Sequence, residues 1–125
     1  MGGRARPYVL VVDDDQAMLW LVREVLTQEG IAVETADNGE RALALMARQR
    51  PAVVLLDVQM PVLDGEGFVK EMRARRLDTP FVVVTGAPSA EWWATKLGAD
   101  GAIQKPFSVD DVVAVASRYL APATT

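Results

Sequence analysis

The 125-residue chain carries a net charge of −4 and is half hydrophobic, so it is large enough to bury a core and too apolar for a disordered segment. It contains neither cysteine nor histidine, which excludes disulfides, thiolate nucleophiles, zinc–thiolate sites and imidazole chemistry. No apolar stretch approaches the roughly 20 residues needed to cross a bilayer, and Met1–Arg6 is not followed by a signal-peptide core, so the expectation is a cytoplasmic protein without membrane insertion.

In chain order, residues 1–7 read as an N-terminal extension, 8–120 as one domain and 121–125 as a C-terminal tail. Tyr8 to Val12 is a β-rich run that breaks into Asp13-Asp14-Asp15, a first strand with acids at its carboxyl end. Met18, Leu21, Val22, Val25 and Leu26 recur at helical spacing until Gly30 stops the pattern. Trp20 stands off that stripe. Ile31 to Ala36 suits a second strand nearer the sheet edge, with its larger apolar groups at Ile31 and Val33. Asp37 or Asn38 then caps a helix with the stripe Ala42, Leu43, Met46 and Ala47, ending before Pro51.

Val53 to Leu56 is a four-residue apolar run closed by Asp57, which reads as a strand buried on both faces. Pro61 and Asp64-Gly65 turn the chain, and Phe68, Val69 and Met72 mark a third helix reaching about Arg76. Pro80 opens a fourth strand, Phe81 to Val84, that runs into Thr85-Gly86. Ser89 caps a short fourth helix in which Trp93 and Leu97 lie one turn apart before Gly98. Gly101 to Gln104 is the fifth strand and leads into Lys105-Pro106, a candidate cis peptide. Ser108 and Asp111 form an N-terminal capping pattern for a last helix whose core face is Val109, Val112, Val113, Ala116, Tyr119 and Leu120. The only dense basic groups, Arg48/Arg50 and Arg73/Arg75/Arg76, look like solvated helix ends, so direct nucleic-acid binding is not expected.

Strands alternating with helices imply an α/β fold, a doubly wound five-stranded parallel sheet with helices on both faces. The order 2-1-3-4-5 fits such a chain and puts its switch point between strands one and three. Asp13 and Asp14 end strand one and Asp57 ends strand three, so three carboxylates meet in one crevice. They repel each other unless protons or a cation intervene. Mg²⁺ meets that need, because it takes hard oxygen ligands and is typically held by one or two carboxylates together with a phosphate. Each aspartate alone could be a cap or turn residue, and for Asp15 that reading is preferred.

Thr85 and Lys105 reach the same edge from strands four and five. A hydroxyl and an ammonium facing a carboxylate-bound cation suit the oxygens of a phosphoryl group, and a carboxylate can itself be the nucleophile that accepts one. Separately, Thr85 is an ordinary strand-end residue and Lys105 an ordinary ion-pair partner. Together with the acids they read as a site.

These motifs resemble a response-regulator receiver domain over nearly the whole chain, Tyr8 to Leu120. The resemblance rests on Val11-Val12-Asp13-Asp14, Leu56-Asp57 with Met60-Pro61 and Asp64-Gly65, Val84-Thr85-Gly86, and Lys105-Pro106-Phe107. It implies the flavodoxin-like (βα)5 receiver fold, with Asp57 accepting a phosphoryl group from a histidine kinase or phosphotransfer protein. It implies further that Asp14 and Asp57 ligate Mg²⁺ directly, that Asp13 acts through water, and that the main-chain carbonyl of Gln59 completes the protein ligands. Thr85 and Lys105 would bind phosphoryl oxygens and pull the switch. The surface of helix four, strand five and helix five would then bind an output protein, with the chain a monomer or a phosphorylation-dependent dimer. Such a domain catalyses only its own phosphorylation and dephosphorylation. Both a single-domain regulator and a piece of a longer protein fit the end just after the last helix.

One departure is Ala102, where the family commonly has an aromatic residue that swings inward on activation. Trp92-Trp93 nearby offer a different aromatic pair. Adjacent helical residues point about 100° apart, so both rings can hardly be core, and one of them could join the output surface or simply lie on it. Three rivals stand beside this reading. A flavodoxin-like electron carrier would need hydroxyls and amides, not three aspartates, around its phosphate. A phosphatase with an aspartyl nucleophile would need a second acid where Gln59 stands. A receiver-like interaction module that works without phosphorylation is kept open by Ala102.

Overall fold

A computed structural model of the chain describes residues 6–60 and 62–120. The expected tail, most of the N-terminal extension and Pro61 lie outside these residues. The strands are β1 (Val9–Val12), β2 (Val33–Ala36), β3 (Val53–Leu56), β4 (Phe81–Thr85) and β5 (Gly101–Gln104). Between and after them run α1 (Gln16–Gln28), α2 (Gly39–Arg48), α3 (Gly65–Ala74), α4 (Ala90–Leu97) and α5 (Val109–Leu120). All pairings are parallel, and the sheet order is β2-β1-β3-β4-β5, as expected from the sequence.

Alternation of side chains along the central strands divides the interior into two layers. Val9, Val11, Val53, Leu55, Val82 and Val84 pack with Leu19, Val22 and Leu26 of α1 and with Val112 and Ala116 of α5. Leu10, Val12, Val54, Leu56 and Val83 face the opposite layer, which includes Leu43 and Met46 of α2, Phe68 and Met72 of α3, and Leu97 of α4. Every residue of β1, β3 and β4 is buried, whereas β2 at the edge is only partly so. Burial of one such side chain contributes about 1.5–3 kcal/mol.

Three details of the helix faces differ from the periodicity reading. On α1 the buried set is Leu19, Val22 and Leu26, and Leu21 is exposed. Asp15 is the N-cap and accepts from the Ala17 and Met18 amides, so the helix begins at Gln16 with the 19/22/26 face inward. Met18 and Val25 only flank that face. Ala47 on α2 and Val109 on α5 also point outward. Small or terminal apolar residues cost little in water, so periodicity alone does not place them.

Local chemistry sets the other helix starts. Asn38 Oδ1 accepts from the Arg41 amide at 2.9 Å, Asp64 Oδ1 from Gly67 at 2.8 Å and Ser89 Oγ from Trp92 at 3.1 Å, each satisfying an amide that has no partner within its helix. Gly98 ends α4 in the left-handed conformation at φ 74°, which glycine adopts without a Cβ penalty. No helix among the described residues is long and apolar enough to cross a membrane.

Candidate functional site

Strand register explains why the acids meet. Val12 pairs with Leu56 across β1 and β3, so Asp13 and Asp57, each one residue further on, leave adjacent strands at the same level. The Asp57 amide continues the ladder by donating to Val12 O at 2.9 Å. Thr85 pairs with Gln104 at the ends of β4 and β5, and Lys105 follows, with its amide on Thr85 O at 2.9 Å. Asp13, Asp57, Thr85 and Lys105 therefore converge on the carboxyl edge of the sheet, and Asp14 joins them beside Asp13.

Asp13, Asp14 and Asp57 each place a carboxylate oxygen within 4.8 Å of the others. Asp13 and Asp57 are buried and Asp14 is exposed. Lys105 Nζ lies 2.7 Å from Asp13 Oδ2 and 3.3 Å from Asp57 Oδ2. Thr85 Oγ1 donates to Asp57 Oδ1 at 3.0 Å and accepts from the Ala87 amide at 3.2 Å. The Gln59 amide also reaches Asp57 Oδ1, at 3.1 Å. This i to i+2 bond keeps the peptide of Gln59 beside the carboxylate while its side chain is exposed. The Asp15 amide donates to Asp13 Oδ1 at 2.9 Å, so Asp15 serves both as a cap and as an anchor for the buried acid.

Burial raises the pKa of Asp13, with the Asp57 carboxylate adding to the effect, while the bonds from Lys105 and the Asp15 amide oppose it. For Lys105 burial alone would lower the pKa, but the Asp13 and Asp57 carboxylates outweigh it and the net shift is upward. The two directions are compatible: the ammonium keeps its proton, and Asp13, almost wholly out of water, holds its negative charge at a cost. An oxygen-only donor set of clustered carboxylates fits a hard divalent cation such as Mg²⁺. One flank is then acidic and the other offers a hydroxyl and an ammonium, an arrangement suited to a tetrahedral oxyanion on Asp57.

All the side chains expected at the site are at this edge. Sequence reasoning missed Gln104, whose amide links β4, the β4–α4 loop and α4. An exposed glutamine at a strand end carries no signal that separates it from a solvated residue. Lys105-Pro106 is cis. Ala102 is partly buried against the layer containing α4 and presents no ring. Trp92 is exposed, whereas Trp93 packs on the core, and the rings meet edge to face with centroids 5.0 Å apart. The two indoles therefore do point different ways.

The sequence model of the response regulator receiver domain matches residues 9–117. Response regulator MprA of Mycolicibacterium vanbaalenii is 40% identical over 108 residues, 85% of this chain and 47% of that protein. The chain thus spans about half the length of such curated relatives. Among solved structures, the receiver domain of the Francisella response regulator 1452 superposes with a TM-score of 0.82 at 30% identity, covering 92% of this chain and 97% of the other. The chemotaxis protein CheY4 of Vibrio cholerae gives 0.81 at 35% identity, covering 93% of this chain and all of the other.

Proposed function

The chain belongs to the response regulator receiver domain family, and we propose that it is the phosphoacceptor of a two-component or phosphorelay system, with Asp57 taking the phosphoryl group from a histidine kinase or phosphotransfer protein in the cytoplasm. Receiver domains of response regulators interact with phosphodonors and output domains and are generally not classical enzymes. The observation that carries the reading is the placement of Lys105 Nζ at 3.3 Å and Thr85 Oγ1 at 3.0 Å on the two oxygens of a buried carboxylate, beside two further acids.

In this reading Asp13, Asp14, Asp57 and the main-chain carbonyl of Gln59 hold Mg²⁺, which when bound neutralises clustered carboxylates and phosphoryl oxygens. An Asp57 oxygen attacks phosphorus in line as the bond to the donor's ring nitrogen breaks, and that nitrogen keeps the bonding pair. Phosphorus then occupies one carboxylate oxygen, so Thr85 or Lys105 loses its present partner on Asp57. Each is placed to bond a phosphoryl oxygen instead. That exchange shifts the ends of β4 and β5, and the α4–β5–α5 surface is read by an output partner. The domain catalyses only its own phosphorylation and dephosphorylation.

Intact-mass measurement after incubation with acetyl phosphate tests the reading. The expected result is a gain of one phosphoryl group that requires Mg²⁺ and is absent from Asp57→Asn. No gain in the native protein overturns it in favour of a receiver-like module that binds partners without phosphorylation, the reading that the small side chain of Ala102 supports.

A further inference from the structure

The route from Asp57 to α4 does not need an aromatic ring. Thr85 Oγ1 joins Asp57 Oδ1 to the Ala87 amide. Gln104 Nε2 donates to Thr85 O at 3.2 Å and Ala87 O at 3.3 Å, with a longer contact to Lys105 O at 3.4 Å. Its Oε1 accepts from the Ala90 amide at 2.8 Å. Ala90 is the first residue of α4, and a first-turn amide has no partner inside its own helix. The Ser89 side chain covers Trp92, not Ala90. One carboxamide thus spans the end of the strand bearing Thr85, the loop after it and the start of the helix bearing Trp92 and Trp93.

We propose that Gln104 is a positioning residue that tethers the N-terminus of α4 to the end of β4 and relays a shift of Thr85 to that helix. The relay rests on the phosphoacceptor reading above; the tether does not. A residue here must accept from one amide and donate to two carbonyls at once, which a primary carboxamide does. Glutamate has the acceptor without the donors, and methionine has the length without either. Ala102, two residues earlier on β5, has no ring with which to carry the signal, and the hydrogen bonds of Gln104 make a continuous connection that braces the short β4–α4 loop between Asp57 and α4.

The test compares the native protein with Gln104→Met and Gln104→Glu, each with and without acetyl phosphate and Mg²⁺. Three quantities are read: intact mass, exchange of the Ala90 amide, and tryptophan fluorescence. Loss of the tether is expected to speed Ala90 exchange about tenfold in Gln104→Met, and less in Gln104→Glu, which keeps the acceptor. Phosphoryl gain is expected to be equal in all three proteins, while the fluorescence change that follows it in the native protein is lost in Gln104→Met. Native protection of Ala90 in Gln104→Met overturns the tether. A fluorescence response undiminished in Gln104→Met, or absent from a phosphorylated native protein, overturns the relay. If the native protein gains no phosphoryl group, the phosphoacceptor reading and the relay fall together, and Ala90 exchange decides the tether by itself.

Discussion

Lys105 sits closer to Asp13 than to the carboxylate that is proposed to react: Nζ is 2.7 Å from Asp13 Oδ2, and the two residues are 92 positions apart in the chain. The ion pair fastens the end of β5 to the end of β1 across β3 and β4, and it neutralises a side chain that is only 2% exposed. Removing one member of a buried pair leaves the other charge uncompensated, which costs far more than loss of a surface bridge.

Lys105→Met is therefore expected to lower the unfolding free energy near neutral pH by about 3 kcal/mol, measured by urea titration. Acidification should recover part of the loss, because protonation removes the orphaned charge of Asp13, whose pKa burial already raises. An unchanged urea midpoint would show that the pair contributes little.

The raised pKa of Asp13 predicts the sign of a pH dependence. Its folded-state value lies above the ordinary 3.8, so between those two values the folded protein binds more protons than the unfolded chain. Stability is then lost as pH rises from 3.8 through the folded-state value. Asp13→Asn should flatten that portion of the stability–pH curve measured without Mg²⁺. Millimolar Mg²⁺, which binds only the ionised acids, should reverse the slope in the native protein and act more weakly in Asp13→Asn, which keeps Asp14 and Asp57.

Tyr8 supplies a second window at high pH. Burial is the main reason its pKa is pushed up to about 12, with Glu34 adding and Arg48 opposing. Its hydroxyl donates to Gln49 O at 2.5 Å. A neutral phenol is thus part of the fold, and its contribution is lost as pH rises from the ordinary 10.0 through about 12. Tyr8→Phe should cost about 1 kcal/mol near neutral pH for the lost bond and should show a weaker base-induced loss of stability than the native protein. Parallel alkaline unfolding curves for the two proteins would contradict this.

Gly65 opens α3 against Val58, the residue that follows the acceptor. A Cβ there would lie 2.5 Å from Val58 Cα, a backbone atom that cannot move aside alone. Gly65→Ala is expected to cost at least 2 kcal/mol by overpacking, roughly the middle of the usual range, seen as a lower thermal midpoint. It should also slow phosphoryl uptake, because Val58 adjoins Asp57. Gly30→Ala is a useful contrast, since its strain comes from a φ of 77° and nothing lies within 4 Å.

Much of this protein was legible from residue order. Short apolar runs ending in Asp13, Asp57 and Thr85, each followed by a helix signal, determine a parallel α/β sheet, because such strands must be covered on both faces and their connections must cross over. The cap at Ser89 was readable too, and that at Asn38 up to its neighbour Asp37, because these are interactions within four residues; Asp64 was read as a turn and caps α3 as well. Long-range geometry was not. That Lys105 prefers Asp13 follows from strand register and burial. That Gly65 must be glycine follows from contact with Val58, whereas the sequence suggested only a turn. The exposure of Leu21 with Leu19 inside depends on how α1 rotates onto β1 and β3, which neighbouring apolar residues on one helix do not specify. The carboxamide of Gln104 found its partners only when β4, β5 and α4 came together. Local chemistry is written in neighbouring residues; which distant groups share a few ångströms is decided when the chain packs.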